Sequence, residues 1–207
     1  MRVVKEAEER KNEILDVSQR LFSTKGFDDT SIADILNEIG IAKGTLYYHF
    51  KSKEEILDAI IDRMITGQVL TAKKIAEDKS VPAVTRVVNA MMSFSVEGDN
   101  EEFVLEQIHK PQNALMHQKI QDSLMKAVVP IITEIVLDGI NEGVFKTDYP
   151  EEGVELILMY ASQAFNDDEA LNSPEKLKKI NGFVYNTERI IGAEQDSLLK
   201  ALMPLFK

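Results

Sequence analysis

Apolar residues return every three to four positions along this chain, and no segment sustains the alternation of a half-buried strand. Ile14, Val17, Leu21 and Phe22 put one stripe on a first helix, which Gly26 ends because glycine accepts the left-handed backbone of a C-terminal cap. Thr30 or Ser31 then supplies a side-chain oxygen to cap a second helix, whose inner face is Ile32, Ile35, Leu36 and Ile39 and which stops at Gly40. A third, very short helix follows from Ala42 to about His49, with Leu46 and Phe50 turned inward. Ser52 and Glu55 make a capping box that opens a long helix through Ile56, Ile60 and Met64 to about Asp78. Later starts are marked by Ser80 with Pro82, Asp99, Pro111, Pro150, and Ser173 with Pro174. Pro130 should kink or break the stretch from Pro111 to Asn141, since it lacks an amide and crowds the carbonyl of Lys126. The pattern predicts an all-α chain.

Composition narrows the function. The 207 residues include no cysteine, which excludes disulfides, thiolate metal sites and thiol redox sensing. The first eleven residues alternate charges, and apolar runs such as Leu156 to Ala161 are far too short for a bilayer, so the expectation is a soluble, cytoplasmic protein with no membrane partner. A net charge of -11 argues against a nonspecific nucleic-acid coat. The charge is uneven, however. No acidic residue falls between Glu38 and Glu54, whereas Lys43, His49, Lys51 and Lys53 do.

That locally basic stretch coincides with two short helices joined at Gly40, the arrangement of a helix-turn-helix whose second helix enters the major groove. Neighbours on a helix diverge by about 100 degrees, so Tyr47 and Tyr48 cannot both share the inward side of Leu46; at least one faces out. Residues 10 to 57, above all Gly40-Ile41-Ala42-Lys43-Gly44-Thr45-Leu46-Tyr47-Tyr48-His49-Phe50-Lys51-Ser52-Lys53-Glu54-Glu55, resemble the DNA-binding domain of TetR-family regulators, as do Leu21-Phe22, Lys25-Gly26-Phe27 and Thr30-Ser31 upstream. The resemblance implies a DNA-binding domain at 1–52 and an effector-binding, dimerisation domain at 53–207. It implies phosphate contacts from Thr30, Tyr47, His49 and Lys53, with Lys43, Gly44, Thr45 and Tyr48 near bases or neighbouring phosphates. Ala33 departs from members that place a long polar side chain there. Arg2 and Lys5 are either a minor-groove arm or a solvated tail.

The implied protein is a homodimeric repressor on a double-stranded inverted-repeat operator, released by a small-molecule effector. The nearly all-apolar segment Gly153 to Phe165, followed by a stripe at Leu177, Ile180, Val184 and Ile191, suits helices buried by their own core and by a second copy. Candidate effector contacts are Met91, Phe94, Phe103, Met116, His117, Met159, Tyr160 and Gln163, although each of the apolar ones suits a plain core equally well. Glu106 and His109 form one Glu-x-x-His pair, but a di-iron bundle needs two, so no cofactor, metal or enzyme activity is expected. A large enclosed cavity would favour a small-molecule sensor; a filled core with an exposed apolar patch would favour a protein partner.

Overall fold

The computed structural model describes residues 2–94, 113–165 and 173–203, with side chains from residue 6 onward, and these residues form helices and no strand. They divide into two compact units, one of residues 2–66 and 113–123, the other of 67–94, 124–165 and 173–203. The N-terminal unit contains α1 (Arg2–Lys25), α2 (Ile32–Ile39), α3 (Lys43–His49) and the first turns of α4 (Lys53–Glu77). Its core is Ile14, Phe22, Ile35, Leu46, Phe50, Ile56, Leu57 and Ile60, closed by Met116 from the start of a later helix. The backbone is already helical at Arg2 and Lys5, because residues 2–13 are rich in strong helix formers and contain no breaker.

Local chemistry explains where α2 begins and ends. Ser31 Oγ accepts from the Asp34 amide at 3.1 Å while the Asp34 carboxylate accepts from the Ser31 amide at 2.7 Å, a complete capping box. Gly40 closes the helix with φ at 76°. The Lys25 ammonium, 2.8 Å away, and then the Ser31 hydroxyl and amide hold the Asp34 carboxyl well below the usual carboxylate range. Folding therefore releases a proton at Asp34, and the resulting stabilisation is complete above about pH 5 and declines as pH falls through the ordinary carboxylate range and below. Urea melts between pH 3 and 7 should show a shallower acid slope for Asp34→Asn than for the native chain.

At α4 the expected box is half made. Ser52 Oγ accepts from the Glu55 amide at 3.1 Å, but the Glu55 carboxylate takes the amide of Lys51 at 2.5 Å.

In the second unit, α5 (Ala83–Met92), most of α6 (Ala114–Asn141), α7 (Pro150–Ala164), α8 (Pro174–Ile191) and α9 (Ser197–Leu202) surround Val87, Val128, Ile132, Ile135, Val154, Ile157, Val184, Ile191 and Leu198. Helix α6 runs unbroken through Pro130. Val128, Val129, Ile131 and Ile132 beside it are buried, whereas Pro130 and Lys126 are exposed, so water can serve the carbonyl that loses its amide.

On α8 the expected stripe holds at Ile180, Val184 and Ile191, while Leu177 is exposed and Lys176, Thr187 and Glu188 are buried beside it. Glu188 belongs there because its carboxylate accepts from the amides of Asp196 and Leu198, both at 2.9 Å, and so organises the start of α9. The helix ends on Gly192, whose φ is 66°, where the Lys146 amide donates to the Ile191 carbonyl at 3.0 Å.

Arg86 is a further buried charge, 1% exposed. Its guanidinium donates to the carbonyls of Val81 and Ala76, both at 2.9 Å, to Asp138 at 2.6 Å and to Glu142 at 3.0 Å. One side chain thus fastens the last turn of α4 and the α4–α5 turn to the C-terminal end of α6. Lys79 pairs with Asp138 from outside. Burial raises the Asp138 carboxyl, but hydrogen bonds from Lys79 and Arg86 outweigh it and leave the group below its ordinary range.

Candidate nucleic-acid interface

Helix α3 is held to the protein by one residue. Leu46 is fully buried, and Phe50 follows as the C-cap with its amide on the Leu46 carbonyl at 2.9 Å. The N-cap is Ala42, which offers no side-chain oxygen. Everything else on α3 faces away from the core to some degree. Lys43 and Gly44 are exposed, Tyr47 is 43% and Tyr48 79% exposed, and Thr45 and His49 are half-buried. Both tyrosines therefore face out.

The outward side chains are arranged against one another. The Lys43 ammonium sits over the Tyr47 ring, 5.6 Å from its centre, and the Tyr48 and His49 rings meet edge-on at 5.0 Å. A methyl group added at Gly44 would meet nothing within 4 Å, so the fold itself has no need of a glycine there; the open space suits a close partner. Acidic neighbours on α2 are compensated, Glu38 by Arg20 at 2.6 Å and Asp34 by Lys25. The outward surface of α3 thus offers donors and aromatic faces of the kind that bind phosphates and base edges. Lys51, exposed in the same basic run, was not among the expected contacts.

Two expected phosphate contacts are engaged internally. Thr30 is fully buried, and its hydroxyl donates to the Gly26 carbonyl at 2.7 Å. Ser31, exposed beside it, is the residue that caps α2. The Lys53 ammonium points back at the turn before α2 and donates to the carbonyls of Phe27 at 2.6 Å, Thr30 at 2.9 Å and Asp28 at 3.4 Å.

The expected effector contacts are dispersed. Met116 is fully buried in the N-terminal core, and His117 beside it is half-buried, with a ring nitrogen 3.4 Å from the Gln121 amide nitrogen. Met91 lines an apolar crevice with Val87, Ile132, Val154, Ile157 and Leu158, and Phe94 packs on the same core. The crevice measures about 10 Å³. Met159, Tyr160 and Gln163 are exposed on α7. Phe103, Glu106 and His109 lie outside the described residues.

Known proteins agree with this reading of α2 and α3. The family model for bacterial regulatory proteins of the tetR family matches residues 14–60, and one for a tetracyclin repressor-like C-terminal domain matches residues 96–180. The HTH-type transcriptional repressor KstR2 of Mycobacterium tuberculosis is 27% identical over 162 residues, covering 77% of this chain and 79% of its own. An uncharacterized HTH-type transcriptional regulator of Bacillus subtilis, YerO, is 35% identical over 99 residues, 47% of this chain but 34% of YerO. The crystal structure of RolR in complex with resorcinol superposes with a TM-score of 0.59 at 16% identity, covering 97% of this chain and 94% of that one. KstR2 and YerO are named as regulators of transcription, not as enzymes. With its helix-turn-helix formed by α2 and α3 and both family models matched in order, the chain belongs to the TetR family of transcriptional regulators.

Proposed function

We propose that the protein is a cytoplasmic, homodimeric repressor that binds an inverted-repeat operator and leaves it when a small molecule occupies the C-terminal unit. The observation that carries the DNA half is the one-sided burial of α3, fully buried at Leu46 and 79% exposed at Tyr48. On this reading Lys43, Gly44, Thr45, Tyr47, Tyr48 and His49 meet DNA, residues 1–52 form the DNA-binding domain, and 53–207 form the effector and dimerisation domain. Dimerisation is supported by Leu156, Met159 and Tyr160 on α7 and Leu177 and Tyr185 on α8, large apolar side chains each between 47% and 61% exposed. Helix pairs with such faces form four-helix interfaces across a two-fold axis.

The release step draws on the resorcinol bound to RolR and on the name repressor given to KstR2. A ligand in the crevice around Met91 has to part α5 from α6 and α7, since about 10 Å³ of free space has room for about one water. The narrowness of this crevice favours a second reading, in which the C-terminal unit answers to a protein, whereas the open hollow of about 300 Å³ beside Thr71, Lys74 and Asn89 favours the first.

Selection of duplexes from a random pool by the full chain tests the first half. Selected sites should be inverted repeats with half-sites about 10 base pairs apart or adjusted by tilt, and sedimentation at micromolar concentration should show a dimer. Tyr48→Ala should weaken the selected duplex about tenfold, near the loss of one good contact. A monomer without sequence preference would end this reading. Release of that duplex by a small molecule, and not by a protein fraction, decides between the two effector readings.

A further inference from the structure

Between the last turns of α4 and α5 the second unit has an open hollow of about 300 Å³. One wall is a single line along α4. Thr71, Lys74 and Ile75 recur there at helical spacing, and Asp78 continues the line, its amide still bonded to the Lys74 carbonyl at 3.2 Å. The packing of this part of α4 is carried by the neighbouring line of small residues, Ala72 and Ala76, both buried. Val81, Arg86 and Asn89 complete the lining. Arg86 holds the shape, because its guanidinium bonds the carbonyls of Ala76 on α4 and Val81 in the turn at once. The hollow is therefore preformed and of the size at which small-molecule sites begin.

What it offers is a pair of opposite charges without partners. The Lys74 ammonium is exposed and has no ion pair or hydrogen bond among the described residues. Asp78 lies one turn further on, yet the two do not pair. Both bonds accepted by the Asp78 carboxylate, from the Ser80 amide and hydroxyl, fall on Oδ1 and leave Oδ2 unused. Those bonds, with Arg86 nearby, hold the Asp78 carboxyl below its ordinary range, so the group is charged at neutral pH. The half-buried side-chain amide of Asn89 also has no hydrogen bond among the described residues. Arg86 is compensated by Asp138 and Glu142. Ile75 and Val81, both half-buried, add a small apolar surface.

We infer that this hollow binds a small zwitterion, an α-amino acid with an aliphatic side chain, its carboxylate on Lys74 and Asn89 and its ammonium on Asp78 Oδ2; the inference rests on the small-molecule reading of the C-terminal unit above. A simple anion would meet the Asp78 carboxylate, and a simple cation the Lys74 ammonium. One molecule with both charges answers both, through charge-assisted hydrogen bonds.

Leucine and two analogues test this on the native full-length chain, isocaproate lacking the ammonium and isoamylamine lacking the carboxylate. In calorimetric titrations leucine should bind about tenfold more tightly than either, the loss expected for one charged hydrogen bond. Methyl NMR should show leucine shifting Ile75 and Val81 and leaving Ile132 and Ile157, in the crevice around Met91, where they are. Lys74→Gln should lower leucine to the level of isoamylamine without weakening isoamylamine, and Asp78→Asn should lower it to the level of isocaproate without weakening isocaproate. Both residues are exposed, so both variants should keep the native fold, and the analogue series on the native chain needs neither. Equal affinity for leucine and isocaproate, shifts confined to the crevice, or no binding of leucine, isoleucine or valine overturns the inference. Release of a selected duplex is a separate measurement. Leucine seated in the hollow with the duplex held as before supports the site and counts against the release step, whereas no binding ends the site and leaves the release step to another ligand.

Discussion

Replacing Arg86 with alanine should cost about 3–5 kcal/mol, the range for removing one partner of a buried ionic network. The magnitude follows from what is left behind. The carbonyls of Ala76 and Val81 lose a buried donor, and Asp138 and Glu142 lose the cation between them. Lys79 remains on Asp138, and the Ala83 amide remains on Glu142 at 3.1 Å, so neither carboxylate is stranded completely. Arg86→Lys should recover only part of the loss, because a point-like ammonium cannot serve four acceptors spread around a planar fork. Urea unfolding of both variants provides the measurement. A cost below about 1 kcal/mol for Arg86→Ala would put the network in the class of surface pairs.

Gly192→Ala should cost about 3 kcal/mol, and its contrast with Gly40→Ala shows why. Both glycines have positive φ, 66° and 76°, so an alanine at either bears about 1–2 kcal/mol of left-handed strain. At Gly40 a methyl group meets nothing within 4 Å. At Gly192 it would lie 1.9 Å from the carbonyl oxygen of Lys146, which is backbone and cannot swing aside. The segment at Lys146 would have to move and give up its amide bond to Ile191, adding overpacking of about 1–3 kcal/mol. Thermal unfolding of the pair of variants should place Gly192→Ala clearly below Gly40→Ala; equal midpoints would show that the 143–148 connection yields freely.

The helix-turn-helix was legible in the sequence because its signals are local. Ser31, Gly40 and the inward Leu46 lie within sixteen residues, and each acts on its own neighbours. Arg86 was not, since a buried arginine is recognisable only from its partners, and Asp138 and Glu142 stand 52 and 56 residues away. Glu188 on α8 escaped notice in the same way. A carboxylate at a core position reads as polar surface until the amides of Asp196 and Leu198 fold back over it. Thr30 shows the limit of resemblance: the residue type agrees with the family pattern, while its hydroxyl is occupied by the Gly26 carbonyl.

The scant anchoring of α3 has a consequence for how such a protein changes over time. Leu46 is the fully buried side chain of this helix, and Lys43, Gly44, Tyr47 and Tyr48 lie exposed. Substitutions at Lys43, Thr45, Tyr47 or Tyr48 can therefore accumulate at little cost to stability, as surface changes generally do. If α3 meets DNA as proposed, a descendant of this chain can come to read a different sequence through a few changes on α3 while its fold stays the same, so lineages sharing this architecture can diverge in the genes they govern faster than in the shape they keep.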